Sequence, residues 1–306
     1  MKPLAAAALC LALATPASAQ SPEQIEQARR AYNDGHWELA LTVLIPAAEA
    51  GNADAQNVYG IALKDGEGVA ADPAASVAWY EKAVAQGHLK AMHNLAHLYQ
   101  WGAGPVAQDF DKARALYQQA LDAGYGEAGN GMGLMWENGQ GVEKDLAKAA
   151  EFYAIGAEAG ERNAAYNLAN FYRTGTGVEE DMGRALSLYT ESALAGHPSA
   201  WNALGLMYQH GMGTDPSPEA AYLAFREAVK GGMALAGINL GEFVTATEGW
   251  WQDPVAGYGY CLWGINSASE SERDGFIQTC EPLVEYLSVE EEDAAKRFAE
   301  QIDRAP

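Results

Sequence analysis

Two histidines four residues apart, His93 and His97, are the first candidates for chemistry in this sequence. On a helix that spacing puts both imidazoles on one face, where they could share a metal ion. A helical zinc hydrolase would read His-Glu-x-x-His, with the glutamate as general base. This segment reads His-Asn-Leu-Ala-His, with no third ligand nearby. The pair is therefore either half of a metal site or two polar residues facing a groove. Neither Ser-x-x-Lys nor Gly-x-Ser-x-Gly occurs, so no serine nucleophile motif is present. Acid pairs such as Glu179 and Glu180 stand beside turns, as solvated charges rather than a general acid and base. Gly-x-Gly recurs at Gly66/Gly68, Gly102/Gly104, Gly139/Gly141, Gly175/Gly177 and Gly211/Gly213. A phosphate-cradling loop would need a preceding strand and a third glycine, so positive-φ turns are the expectation. Cys261 and Cys280 form an even pair, whose chemistry in an oxidising compartment is a disulfide.

The elements that must position these residues repeat. Glycines that close a helix stand at Gly51, Gly87, Gly124, Gly160, Gly196 and Gly232, at intervals of 36, 37, 36, 36 and 36 residues. That period marks an αα solenoid. Four residues after each glycine comes an alanine, Ala55 to Ala236. Nine after comes Gly60, Ala96, Gly133, Ala169, Gly205 or Gly241, small enough for helices to approach closely. Twelve after comes Leu63, Tyr99, Trp136, Tyr172, Tyr208 or Val244, expected to fill the space between helices. The second helix of each copy starts at an N-cap: Asp72, Asp109, Asp145, Asp181, Ser217 or Asp253. Pro105 is the extra residue of the 37-residue interval and falls in a loop. The organisation read from this is a leader over 1–19, a capping hairpin over 20–50, six repeats over 51–268 (51–86, 87–123, 124–159, 160–195, 196–231 and 232–268) and a helical cap over 269–306.

The pattern Gly-x3-Ala-x2-Asn-Leu-Gly/Ala-x2-Tyr-x2-Gly-x-Gly-Val resembles the Sel-one-like repeat, a relative of the tetratricopeptide repeat with a longer interhelix loop. It is clearest at Ala91, Asn94, Leu95, Ala96, Tyr99, Gly102 and Gly104, and again at Asn167 and Gly177-Val178. The sixth copy departs most, with Thr-Ala-Thr-Glu-Gly-Trp-Trp in place of Gly-x-Gly. The resemblance implies an all-α fold, an αα-hairpin solenoid wound as a right-handed superhelix with helical end caps. It also implies first helices that line a concave groove. With core columns at four, eight, nine and twelve after the glycine, the groove stripe holds Asn57, His93, Asn130, Tyr166 and Asn202 at six after. It continues with His97, Leu134, Asn170 and Leu206 at ten after and Arg173 at thirteen after. Asn and Gln can both donate to and accept from a peptide backbone. The plainer alternative is a polar face without a ligand.

Residues 1–19 read as a signal peptide: Lys2, an apolar run from Leu4 to Leu13, and Ala17-Ser18-Ala19 as the cleavage site. Leu9 before Cys10 argues against a lipoprotein box. No later stretch has transmembrane length, so membrane insertion is not expected. The formal net charge is −22. A field of that sign repels nucleic acid and anionic lipid, and either favours a partner with a basic patch or keeps a long surface soluble. The function expected is an exported, periplasmic, non-catalytic scaffold without cofactor or metal. It would bind protein or peptide in its groove, as adaptor or regulator in the bacterial cell envelope. Some cysteine-rich relatives of the repeat family were first described as penicillin-binding or β-lactam-hydrolysing. A protein that binds or hydrolyses cell-wall peptide or β-lactam is therefore one alternative, and a purely structural envelope protein the other.

Overall fold

The computed structural model describes residues 20–249, 251–285 and 287–302. The leader and Cys10 lie outside them. Among the described residues the fold is all-α, with one isolated bridge between Ala103 and Val106 and no named strand. The chain divides between Asp145 and Leu146 into two compact units. In the first, the helices are α1 Pro22–Asn33, α2 Trp37–Glu49, α3 Ala53–Asp65, α4 Pro73–Val84, α5 Leu89–Trp101, α6 Phe110–Asp122 and α7 Gly129–Asn138. In the second they are α8 Leu146–Glu158, α9 Arg162–Thr174, α10 Met182–Leu194, α11 Pro198–His210, α12 Pro218–Lys230, α13 Ala234–Ala246, α14 Pro254–Ser267, α15 Glu270–Val284 and α16 Val289–Ile302. Within each unit the elements pair as αα-hairpins, each packed on the next in chain order. The helical cap expected over 269–306 begins with α15, which a Ser269/Glu272 capping box starts.

Local chemistry sets the boundaries. The side chains of Asp72, Asp109, Asp181, Ser217 and Asp253 accept from the N–H groups of Ala75, Lys112, Arg184, Ala220 and Ala256, at 2.9–3.3 Å. These bonds satisfy donors that the first turn of a helix leaves free. The cap residue's own N–H donates back to the twelve-after carbonyl in every copy, from Asp72 to Leu63 at 2.7 Å through Asp253 to Val244 at 3.1 Å. The Gly-x-Gly pairs between these anchors all have φ between +52° and +76°.

The core is a column of second-helix aromatics. Tyr80, Tyr117, Tyr153, Tyr189 and Phe225 are fully buried, and Cys261 continues the column. The nine-after small residue makes room for them: a Cβ on Gly205 would lie 2.4 Å from the Phe225 ring. The twelve-after column fills the interior as expected only at Leu63 and Val244. Tyr99, Trp136, Tyr172 and Tyr208 are only half-buried. Eleven after, Ala62, Leu98, Met135, Phe171, Met207 and Phe243 are buried in every copy. One position is about 100° of rotation on a helix, enough to move a side chain from the core to its rim. There the aromatic side chains meet cations from the second helix: Lys112 Nζ stands over the Tyr99 ring, 4.9 Å from its centre, and Arg184 Nη1 donates to the Tyr172 hydroxyl at 2.9 Å.

The second unit ends on a cross-link. Cys261 of α14 and Cys280 of α15 form a disulfide with 5.9 Å between their Cα atoms. Ile238, Tyr258, Ile265, Phe276 and Leu283 surround it. Ser288 and Glu291 make a capping box at the start of α16: Ser288 N–H donates to Glu291 Oε2 at 2.8 Å, and Glu291 N–H to Ser288 Oγ at 3.3 Å.

Candidate functional site

The face in question is carried by the first helix of each hairpin: α3, α5 and α7 in the first unit, α9, α11 and α13 in the second. In the first unit Asn57 is buried, and its Oδ1 accepts from Asn94 Nδ2 at 2.9 Å. In the second, Asn202 is buried and accepts from Asn239 Nδ2 at 2.7 Å. Both donors are the seven-after asparagine of the following copy. The six-after amide is thus a seam between successive first helices, and Ile238 in the same column is buried as well. This corrects the placing of Asn57 and Asn202 on the ligand side. A buried amide needs a partner, and the neighbouring helix supplies it.

His93 is half-buried, with its ring edge-on to Tyr117 and Tyr125 at centroid distances of 5.6 and 6.0 Å. Burial, then the neighbouring His97, pulls its imidazole down to about 4, against an opposing pull from Glu127. It is neutral at physiological pH. His97 is exposed and lies 6.3 Å from the exposed Trp101 ring. Among the described residues no group of three or more His, Cys, Asp or Glu is placed to hold a metal ion. Asn130 and Leu134 of α7 are half-buried.

In the second unit Tyr166 stacks on His197, with ring centres 4.4 Å apart and planes within 11°. Burial, then Arg162, lowers the His197 pKa. Tyr166, Asn170 and Arg173 do come together, but around a buried phenol. Tyr189 donates its hydroxyl proton to Asn170 Oδ1 at 2.7 Å, and Arg173 Nε donates to the Tyr189 oxygen at 3.1 Å. Asn170 Nδ2 then donates to the Tyr166 carbonyl at 3.1 Å. In the first unit Tyr117 donates to Gln100 Oε1 at 2.9 Å, and Gln100 Nε2 donates to Gln140 Oε1 at 2.7 Å. Part of the Asn/Gln enrichment that suggested a peptide ligand therefore satisfies the chain's own tyrosines. The signal was available: a column of buried tyrosines requires acceptors for its hydroxyls.

Leu206 is half-buried and opens on a pocket of about 320 Å³ between α11 and α13, lined also by Gln209, His210, Asn239 and Glu242. A second hollow of about 300 Å³ lies against α8 and α10, among Glu158, Leu168, Tyr172 and Arg184.

Stacked αα-hairpins with capped second helices and a polar first-helix face define a helical repeat scaffold of the tetratricopeptide type. More narrowly, the chain belongs to the Sel1 repeat family, whose profile matches residues 53–88, 89–125, 127–161, 162–197 and 198–232, together more than half of the sequence. The hairpin α13/α14 lies beyond the matched copies. A Sel1 repeat protein from Oxalobacter formigenes is 27% identical, covers 84% of this chain and 99% of its own, and superposes with a TM-score of 0.65. A protective antigen present in uropathogenic Escherichia coli is 23% identical over 92% of this chain and 71% of its own, with a TM-score of 0.49. An immunity protein from Pseudomonas aeruginosa is 24% identical over 76% of this chain and 81% of its own, with a TM-score of 0.44. No curated protein matches the chain.

Proposed function

We propose that this protein is an exported, non-catalytic scaffold that binds a protein or peptide partner on its first-helix faces, as an adaptor or regulator in the cell envelope. The observation that carries the reading is what those faces leave open once internal pairing is subtracted. His97 is exposed, Leu134 and Leu206 are half-buried, and a pocket is cut beside Leu206. Polar groups around partly exposed apolar side chains are what a peptide-binding surface requires. Export rests on the leader sequence and is supported by the Cys261–Cys280 disulfide, a bond that persists in oxidising compartments. No helix among the described residues is long and apolar enough to cross a membrane.

Photocrosslinking in cells tests the reading, with the reactive group placed singly at Leu134, Leu206 or the exposed second-helix residues Ile155 and Leu223. Capture of the same polypeptide from Leu134 and Leu206, and not from Ile155 and Leu223, is the expected result. Capture from the second-helix positions alone overturns it.

A further inference from the structure

The pocket between α11 and α13 is built where two helices end. His210 is the last residue of α11 and Ala246 the last of α13, and both line it. The final carbonyls of a helix carry negative partial charge, so two such ends favour a cation. Some first helices supply one themselves, Lys64 in the last turn of α3, Arg173 in that of α9 and His210 in that of α11, while α5 and α7 have none. The last turn of α13 has no basic residue. Instead, the ten-after column, which reads Ile61, His97, Leu134, Asn170 and Leu206 before it, turns acidic at Glu242. No Lys or Arg lines the pocket, and Glu242 has no ion pair among the described residues. Glu242 is exposed to solvent along part of its length, and the partial burial that remains raises its pKa. Asn239 spends its Nδ2 on Asn202 and so keeps its Oδ1 as an acceptor. Gln209 adds a second amide.

We propose that this pocket binds a cationic side chain, an arginine or lysine of the partner polypeptide. The identity of the source as a partner rests on the function proposed above; the preference for a cation does not. An ammonium or guanidinium placed there would meet the Glu242 carboxylate, two amide oxygens and two helix C-termini at once. Charge-assisted bonds of this kind are stronger than neutral ones.

The test is a titration of the 15N-labelled chain with N-acetyl-arginine-N-methylamide, its lysine counterpart and the neutral norleucine counterpart, followed at the side-chain amides of Gln209 and Asn239. Saturable shifts with a cationic probe and none with norleucine are expected, and the tighter of the two cations names the preferred residue. Glu242→Gln should weaken binding roughly tenfold or more. Glu248→Gln, which removes the same charge from an exposed residue that does not line the pocket, should leave it unchanged. Gln209→Leu is a second pocket variant and should weaken binding as well. Absence of binding by both cations, equal shifts with norleucine, or equal losses in the two Glu variants overturns the proposal. Crosslinks from Leu206 without probe binding sink the pocket alone, while probe binding without crosslinks sinks the partner reading and leaves the pocket.

Discussion

The fourth copy, α9/α10, and the sixth, α13/α14, solve the same packing problem with different parts. Both cap the second helix with aspartate, and both return that residue's N–H to the twelve-after carbonyl, from Asp181 to Tyr172 at 2.9 Å and from Asp253 to Val244 at 3.1 Å. In the fourth copy the loop between these anchors turns on Gly175 and Gly177, at φ +66° and +70°. In the sixth, Thr247 leaves α13 in extended geometry instead, at φ −101°. The fourth ties its helices through the Tyr189 phenol, shared between Asn170 and Arg173. The sixth has Cys261 in that column, and ties α14 onward to α15 by a disulfide. A cap and a close helix approach suffice for the hairpin. The glycine loop and the phenol are one way to complete it, and a covalent bond to the next helix is another.

The largest expected effect breaks the fourth copy's tie. Tyr189→Ala removes a fully buried ring and strands Asn170 Oδ1, which should cost about 3–5 kcal/mol. Hydrogen exchange should show α9 and α10 opening while α13 and α14 keep their protection. Uniform loss across the second unit would mean that the copies do not act as separate ties. The sixth copy has a matching break: Cys280→Ser should cost about 3 kcal/mol on the chain-entropy model. Its exchange should rise in α14 to α16 and not in α9. A smaller effect sharpens the contrast between loops. Gly177→Ala places a Cβ in a left-handed turn, 2.4 Å from the Leu146 carbonyl oxygen, and should cost about 1–3 kcal/mol by denaturant melt.

The smallest effect is of pH, and it has opposite signs at His197, which opens the fifth copy against the fourth, and at Glu242 of the sixth. His197 packs on Tyr166 of the fourth copy, and its folded pKa lies below the ordinary 6.5. Below pH 6.5 the unfolded chain takes up a proton that the folded imidazole resists, so stability falls with acidification. Met233 holds the corresponding place before α13, where nothing titrates. Glu242 of α13 has a raised pKa, so the folded state gains its proton first and acidification stabilises that copy. Exchange measured at pH 7 and pH 5 should therefore quicken at the N-terminus of α11 and hold or slow in α13. Equal quickening at both places would remove the contrast.

The hairpins were legible because their determinants are local. The closing glycines Gly51, Gly87, Gly124, Gly160, Gly196 and Gly232 all adopt positive φ, and cap residues such as Asp72 and Asp181 bond where the sequence placed them. Both depend on residues within one turn of each other. The disulfide was legible for a different reason: Cys261 and Cys280 are an even pair behind a leader sequence. The candidate site was legible only in outline. His97, Arg173 and Leu206 reach the surface of the first-helix face, whereas Asn57 and Asn202 do not.

What the sequence by itself determined is the period, the order of helix and turn, and the family. Each follows from spacing along the chain: 3.6 residues per turn, a cap before a helix, a glycine after one. Only the tertiary structure decided which polar side chains are spent inside. Whether Asn202 meets a ligand or Asn239, and whether Asn170 meets a peptide or the Tyr189 hydroxyl, depends on helix rotation within about 100° and on the reach of residues many positions away. The same packing brings the ends of α11 and α13 to one pocket, where Glu242 stands without a countercharge.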